Sequence, residues 1–176
     1  FARVFDTPGD ETFEGTMGLS RLAGVGFEIA MHDFRQVIAY GTGGGHDTAT
    51  LTDSAREDEI HGRSHKSEMF DMVTDGDVYQ ITVRAFDVVH AHATDQAAGT
   101  GGSDMAKLWG TVLDDYVEAA EDWLRYGIRR PELDPLYEIL AFETVKIRET
   151  PGGTDRANTA DNLSFALEFE GNWEMV

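Results

Sequence analysis

The chain has 176 residues and no cysteine, and its 33 acidic and 14 basic side chains give a formal net charge of −19. The lack of cysteine excludes disulfide frameworks, thiolate zinc sites and thiol nucleophiles. The charge argues against a nucleic-acid surface, because phosphate binding needs clustered Lys and Arg. It suits a salty or calcium-rich medium, or simply solubility. No apolar run approaches the ~18 residues of a membrane span, so we expect no membrane insertion.

Two sequence blocks recur along the chain. The first is an acidic turn, FDTPGDETFEG at 5–15, TDSAREDEIHG at 52–62 and GTVLDDYVEA at 110–119. The second joins Phe-x-x-Val to a glycine-rich turn and an aspartate, in DFRQVIAYGTGGGHDTA at 33–49, AFDVVHAHATDQAAGTGGSDMA at 85–106 and AFETVKIRETPGGTDRA at 141–157. Two blocks that alternate in order and each occur three times indicate an internal repeat. The aligned apolar anchors are Phe13, Ile60 and Val117; Phe34, Phe86 and Phe142; and Val37, Val89 and Val145.

The repeats mostly alternate apolar and polar residues, as in TATLTD and LYEILAFETVKI, and Gly, Asp, Asn and Pro mark their turns. Stacked coils bury a continuous core that no single repeat could bury. We therefore predict one all-β domain over 1–176, a β-solenoid or parallel β-helix of about three coils, with a β-sandwich as the alternative. The predicted coils span about 1–47, 48–104 and 105–155, and 156–176 form a C-terminal strand or cap.

One stretch departs from the strand pattern. VLDDYVEAAEDWLRYGIRR places Val112, Tyr116, Ala120 and Leu124 at helical spacing, and its alanines and glutamates favour a helix. We expect a short helix near residues 115–127, inserted into the third coil or capping it. At the C-terminus, we expect aromatic side chains to cover the open end of the core, namely Trp173 and Phe169.

The glycine and aspartate turns suit a cation. Gly45-His46-Asp47-Thr48-Ala49 fits part of a hemolysin-type calcium pattern, and the segments at 102–106 and 153–157 fit in the same way. Calcium takes six to eight oxygens from carboxylates and carbonyls, and stacked copies would align such groups in two rows. Purely structural turns are the alternative, because Asp often caps a turn by bonding its own backbone. The candidate calcium ligands are Asp47, Asp53, Asp58, Asp104, Asp115 and Asp155.

These blocks resemble the long tandem repeats of large secreted or cell-surface proteins in planctomycete bacteria. The resemblance rests on FDVVHAHATDQAAGTGGSDMAKL at 86–108, DTATLTDSAREDEIHG at 47–62 and RLAGVGFEIAMHDF at 21–34, and covers roughly residues 1–115 well. It implies an extracellular structural or adhesive role, distantly like the hemolysin-type calcium-binding repeats, and it brings no catalytic residues. The chain starts at Phe1 and shows no signal peptide, which we interpret as a processed product or as part of a longer protein.

We expect no enzyme, because the chain has no G-x-S-x-G elbow, P-loop or H-E-x-x-H motif. A β-helix enzyme acting on polysaccharides is the least favoured alternative. Two histidine pairs could each bind a metal or simply face solvent, His90 with His92 and His61 with His65.

A self-assembling segment of a surface fibre or layer is the favoured function, with head-to-tail partners and no nucleic acid. A module that binds surface polysaccharide is the alternative. Its sugar platform would be drawn from Trp109, Trp123, Trp173, Tyr116 and Tyr126. Coplanar exposed rings would favour sugar binding, whereas buried rings would favour structure.

Overall fold

The computed structural model describes residues 1–72, 78–94, 103–129 and 133–176. Within these ranges the regular structure consists of β-strands, without helices. In chain order the strands are β1 (Ala2–Phe5), β2 (Thr12–Thr16), β3 (Leu19–Gly24), β4 (Phe27–His32), β5 (Gln36–Tyr40), β6 (Thr48–Thr52), β7 (Asp58–Arg63), β8 (Lys66–Asp71), β9 (Gln80–Arg84), β10 (Val88–His92), β11 (Met105–Trp109), β12 (Asp115–Ala120), β13 (Trp123–Arg129), β14 (Leu133–Leu140), β15 (Thr144–Arg148), β16 (Asp155–Thr159), β17 (Ala166–Glu170) and β18 (Trp173–Met175).

The strands form two sheets, and the chain passes repeatedly from one to the other. The first sheet has the order β1-β5-β9-β8-β7-β11-β15-β17, and the second has the order β18-β16-β12-β13-β14-β10-β6-β2-β3-β4. Most neighbouring strands are parallel, whereas β3, β8 and β13 run antiparallel to their neighbours. This all-β, mostly parallel, layered architecture is the solenoid-like fold predicted from the sequence. The boundaries of the three coils stay a prediction.

Each repeat begins with a three-stranded antiparallel meander: β2-β3-β4, β7-β8-β9 or β12-β13-β14. The chain then crosses to the other sheet for one strand and returns for one more. The last strand of one repeat and the first strand of the next lie on opposite sheets, so successive meanders alternate between the two sheets. This alternation decides where the acidic turns of the repeats lie.

Side chains that alternate along the strands fill the space between the sheets. The aligned Phe13, Ile60 and Val117 are fully buried, as are the aligned valines of the second block. Phe86 and Phe142 are buried as predicted, but Phe34 is 42% exposed. Phe34 lies two residues beyond the end of β4, which is the edge strand of its sheet, so fewer neighbouring strands cover its ring.

The helix predicted near residues 115–127 is wrong, because β12 and β13 occupy this segment as an antiparallel pair. Val117, Ala119, Leu124 and Tyr126 point into the core with a period of two. Helix propensities differ by only ~0.7 kcal/mol per residue among ordinary residues. Pairing with β14 and β16 outweighs such a preference, since it satisfies the backbone groups and buries these side chains.

The C-terminal strands close one end of the core as expected. Phe169 and Trp173 are half-buried, pack against the core, and have ring centroids 5.0 Å apart. The described ranges contain no helix with the length and apolar character of a membrane span.

A left-handed residue precedes the Phe-x-x-Val block in all three repeats. The φ angles are 57° at Asp33, 57° at Ala85 and 67° at Ala141. An L-residue in this region costs roughly 1–2 kcal/mol, and glycine escapes this cost but loses more entropy on folding.

Replacing Ala85 by glycine is therefore expected to leave the free energy of unfolding unchanged or to raise it by up to about 1 kcal/mol. Chemical denaturation measures this change. The matched control is Ala30→Gly on the edge strand β4, where φ is not left-handed and glycine should destabilise by roughly 0.5–1 kcal/mol. Equal destabilisation by both variants would contradict the strain at Ala85.

Candidate metal sites

The three repeats bring two carboxylates together in the same way. In each, a backbone N–H of the acidic turn donates to the aspartate that ends the glycine-rich turn of the second block. The donor–acceptor pairs are Glu11 to Asp47 at 2.9 Å, Asp58 to Asp104 at 2.8 Å, and Asp115 to Asp155 at 3.1 Å. This bond joins residues 36 to 46 positions apart, so it links one turn to another.

A hydroxyl residue four positions earlier orients the acid of each acidic turn. Ser54 donates its N–H and its hydroxyl to Oδ2 of Asp58, each at 2.7 Å. Thr7 and Thr111 make the equivalent pair of bonds to Glu11 and Asp115. The N–H and the hydroxyl of this residue both bond to the carboxylate, so the acid folds back over its own turn instead of extending into solvent. The acid is therefore buried, although it lies in a loop or at a strand end.

The glycine-rich turn of the first repeat packs closely on the acidic turn. The N–H of Gly43 donates to Asp6 at 2.6 Å, and that of His46 donates to Asp10 at 2.8 Å. Gly45 has a φ of +103°, and a Cβ at this position would overlap the carbonyl of Gly9. Only glycine fits here. The corresponding turn of the second repeat, including Gly102, lies mostly outside the described residues.

A third carboxylate completes the cluster in two of the three repeats. Asp6 joins Glu11 and Asp47, and in the next repeat a third aspartate joins Asp58 and Asp104. In each group one carboxylate oxygen per residue lies within 4.8 Å of the others. Gly110 replaces this third acid in the last repeat, which leaves only a pair.

The second cluster, formed by Asp53, Asp58 and Asp104, is the most enclosed. Its members are 6%, 0% and 3% exposed, respectively. Oδ1 of Asp53 accepts bonds from the N–H and hydroxyl of Thr94 at 2.9 and 2.7 Å, and the hydroxyl of Tyr79 donates to Asp58 at 2.9 Å. The other oxygen of Asp53, Oδ2, is buried and accepts no hydrogen bond from the described residues. A buried carboxylate oxygen of this kind calls for a proton or a cation.

Basic side chains do not neutralise this cluster in the part of the chain that the structure describes, where none forms an ion pair with its three aspartates. Arg56, from the same turn, pairs instead with Asp71 at 2.7 Å. The charge of the second cluster must therefore be reduced in another way.

Burial raises the pKa values of the clustered aspartates. Desolvation is the largest cause, and neighbouring carboxylates add to it. The pKa of Asp47 rises to about 6, that of Asp104 to about 7 and that of Asp155 to about 6. Burial also raises the pKa values of Asp53, Asp58 and Asp115. Without a cation, these groups retain protons closer to neutral pH than ordinary aspartates do.

The structure partly regroups the six predicted ligands. Asp53, Asp58 and Asp104 form one cluster, and Asp115 and Asp155 form a pair. Asp47 belongs to the first cluster, which contains none of the other five predicted ligands. The single row of acidic turns expected from stacking is not formed, because these turns cross between the sheets in alternating directions: from the first sheet to the second before β2 and β12, and from the second to the first before β7.

Two members of the first cluster, Asp6 and Glu11, lie outside the six predicted ligands, although the aligned turns offered Asp10 or Glu11 at the second of these positions. The alignment signal was available, since a shift of 47 residues places them on Asp53 and Asp58. Burial separates Glu11 from its exposed neighbour Asp10, which sequence reasoning could not do.

The donor set of the two three-carboxylate clusters fits a hard cation. All of the ligand atoms are oxygens, and Ca²⁺ and Mg²⁺ prefer oxygen whereas zinc favours nitrogen and sulfur. Three carboxylates supply part of the six to eight oxygens that calcium takes, and water or carbonyl groups would have to supply the others.

The histidine pairs do not form comparable sites. His90 pairs with Glu138 at 2.8 Å, and burial lowers the pKa of His92. His61 bonds to Glu59 and packs edge-on against Trp109, with ring centroids 5.1 Å apart. These contacts give the histidines structural partners in the sheets.

The aromatic residues do not form a single sugar platform. Tyr116 and Tyr126 are buried. Trp109 lies on β11 of the first sheet, whereas Trp123 and Trp173 lie on β13 and β18 of the second. A platform of all five rings is therefore wrong, and only individual half-buried tryptophans remain accessible.

Comparisons with known proteins give one partial similarity. Over 81 residues the chain is 32% identical to peptidoglycan-recognition protein LB of Drosophila melanogaster, which covers 45% of this chain and 34% of that protein. The chain thus spans about a third of that relative. No family model matches the chain, and no solved structure matches it.

Proposed function

We propose that this protein is an extracellular structural repeat module whose acidic turns are stabilised by calcium. The observation that carries the proposal is the buried cluster of Asp53, Asp58 and Asp104, in which no described residue other than a protonated Asp104 could donate a hydrogen bond to Oδ2 of Asp53. Extracellular modules bind calcium with dissociation constants of about 10⁻⁴–10⁻³ M, which suits a site with only three protein carboxylates. The resemblance to surface-protein repeats agrees with this setting.

The module would assemble head to tail with units of the same fold. Among the described strands, the sheets end in edge strands that pair on one side only, β1 and β4 at one end and β17 and β18 at the other. Two apolar side chains on these edge strands lie beside buried residues of the next strand and yet remain exposed. Ile29 lies beside Leu22 and is 43% exposed, and Met175 lies beside Ala157 and is 58% exposed. Such edges can pair with further strands, and repeated head-to-tail contacts produce an open fibre.

Sedimentation velocity with calcium, and with a chelator in its place, tests the assembly. We expect concentration-dependent larger species in calcium, and their loss in Ile29→Lys and Met175→Glu, which place a charge at each end. Val25→Lys is the matched control, because Val25 lies in a turn and is 95% exposed. A protein that stays monomeric under all conditions would contradict head-to-tail assembly without affecting calcium binding.

Binding of a carbohydrate is a second candidate function. The relative with partial similarity is named for the recognition of peptidoglycan, a cell-wall glycan. Half-buried tryptophans on the outer faces of both sheets offer ring surface for a sugar. Pull-down with insoluble cell-wall glycans tests this function, and recovery of the protein only in the supernatant would contradict it.

A further inference from the structure

Basic and aromatic side chains form a line across the outer face of the first sheet. Neighbouring strands place them side by side: Tyr40 pairs with Arg84, Arg84 with Lys66, and Lys66 with Arg63. Arg63 then lies over the ring of Trp109 at 4.4 Å, and Trp109 pairs with Arg148. We call this set the cationic row; its members are Tyr40, Arg84, Lys66, Arg63, Trp109 and Arg148.

The cationic row is costly without a ligand. Like charges directly opposite each other on adjacent strands are destabilising, yet Arg84, Lys66 and Arg63 occupy three consecutive strands. Lys66 and Arg148 have acidic neighbours, Glu68 at 2.6 Å and Glu170 at 3.7 Å. Within the described ranges, Arg63 and Arg84 form no ion pair, and Nε of Arg84 is buried without an acceptor. Arg63 is exposed and Arg84 is half-buried, so an external anion can reach both side chains, although not Nε of Arg84.

We propose that the cationic row binds an acidic polysaccharide, with carboxylate groups on Arg63 and Arg84. Its sugar rings would lie beside Trp109, which Arg63 covers on one face at 4.4 Å, and beside Tyr40, which stacks on Phe5 with ring centroids 4.7 Å apart. Adjacent strands are ~4.8 Å apart, which is close to the length of one sugar residue along a chain. Successive acidic sugars can therefore meet successive strands. This inference rests on the second candidate function and is independent of the carboxylate clusters.

Charge density favours an acidic polysaccharide over a nucleic acid. The row is a single line of four cations on a chain with a net charge of −19. A uronic-acid polymer carries one charge per sugar and can follow such a line. Duplex DNA carries one charge per ~1.7 Å of its axis, so most of its phosphates would face the repelling acidic surface.

Titration calorimetry with oligogalacturonate tests the proposal. Wild-type protein is expected to bind, and Arg63→Gln with Arg84→Gln is expected to weaken binding roughly tenfold or more, because charge-assisted bonds are lost. The control pair is Arg125→Gln with Arg156→Gln on the second sheet, which removes the same charge from ion pairs with Glu138 and Glu174 at 2.9 and 2.8 Å. The control pair should bind like the wild type.

Several results would overturn the assignment. Equal weakening of binding by both variant pairs would mean that only the net charge of the protein matters. If the wild type did not bind oligogalacturonate, an acidic polysaccharide would be excluded as the ligand of the cationic row. Binding of duplex DNA as tight as that of oligogalacturonate would also overturn it. Binding of a neutral glucan that is indifferent to Arg63 and Arg84 would overturn the cationic row while keeping carbohydrate binding as the function.

Discussion

Calcium at about 10 mM, roughly a hundred times a dissociation constant of about 10⁻⁴ M, is expected to raise the midpoint of thermal unfolding at neutral pH by about 5–10 °C. A ligand at a hundred times its dissociation constant stabilises the folded state by about 2.7 kcal/mol, and each kcal/mol shifts the midpoint of a domain of this size by roughly 2–4 °C. The second cluster should contribute most, because its three aspartates are almost fully buried. A cation there replaces their mutual repulsion with attraction.

Asp53→Asn separates calcium binding from a general effect of charge. The amide keeps an oxygen for the bonds from Thr94 and places an N–H where Oδ2 of Asp53 lies, so it can donate to Asp104. We expect this variant to be more stable than the wild type without calcium and to lose most of the stabilisation that calcium provides.

The control for Asp53→Asn is Asp161→Asn, which removes the same charge at an exposed position and should keep the full calcium response. Differential scanning calorimetry with calcium and with chelator measures both quantities. A calcium response that survives in Asp53→Asn would exclude the second cluster as the main site. A wild type without any response would favour purely structural turns.

Metal-free protein is expected to lose stability as the pH rises from about 4 to about 7. Burial raises the folded-state pKa of Asp104 to about 7 and those of Asp47 and Asp155 to about 6. A raised pKa means that the folded state holds the proton more tightly than the unfolded chain does. The resulting stabilisation is complete below the unfolded pKa near 4 and is lost as the pH passes the folded value.

Each carboxyl that remains protonated only in the folded state lowers the free energy of unfolding by up to about 1.4 kcal/mol for each pH unit of increase. Asp104→Asn removes this contribution from one group while its amide oxygen can still accept the N–H of Asp58. Without metal, the variant should therefore gain stability relative to the wild type as the pH increases. Denaturant titrations at several pH values measure the difference, with Asp161→Asn as the control.

Calcium should change this pH dependence because it competes with protons for the same oxygens. Its stabilising effect is expected to be large near neutral pH and to disappear near pH 4, where the aspartates are protonated. Parallel wild-type and Asp104→Asn curves at all pH values would contradict the raised pKa of Asp104. A stabilising effect of calcium that is equal at pH 4 and at neutral pH would mean that calcium binds outside the aspartate clusters.

The segment from Asp115 to Arg129 shows where local sequence is insufficient. Its alanines and glutamates favour a helix, but the strand it forms is selected by partners distant in the sequence, β14 and β16. The acidic turns show the opposite case. Asp104 and Asp58 could be recognised as repeated acidic positions by alignment alone, since each occupies the same place in its block.

The alternating pattern of apolar residues by itself determined that the chain forms strands, and the two recurring blocks determined that these strands repeat. Both signals are local, because strand periodicity and turn chemistry depend on neighbouring residues. Tertiary structure alone decided which turns meet. The meanders place successive repeats on opposite sheets, so the carboxylates form separate clusters. It also decided that Arg63, Lys66 and Arg84 lie side by side, because strand register joins residues far apart in sequence.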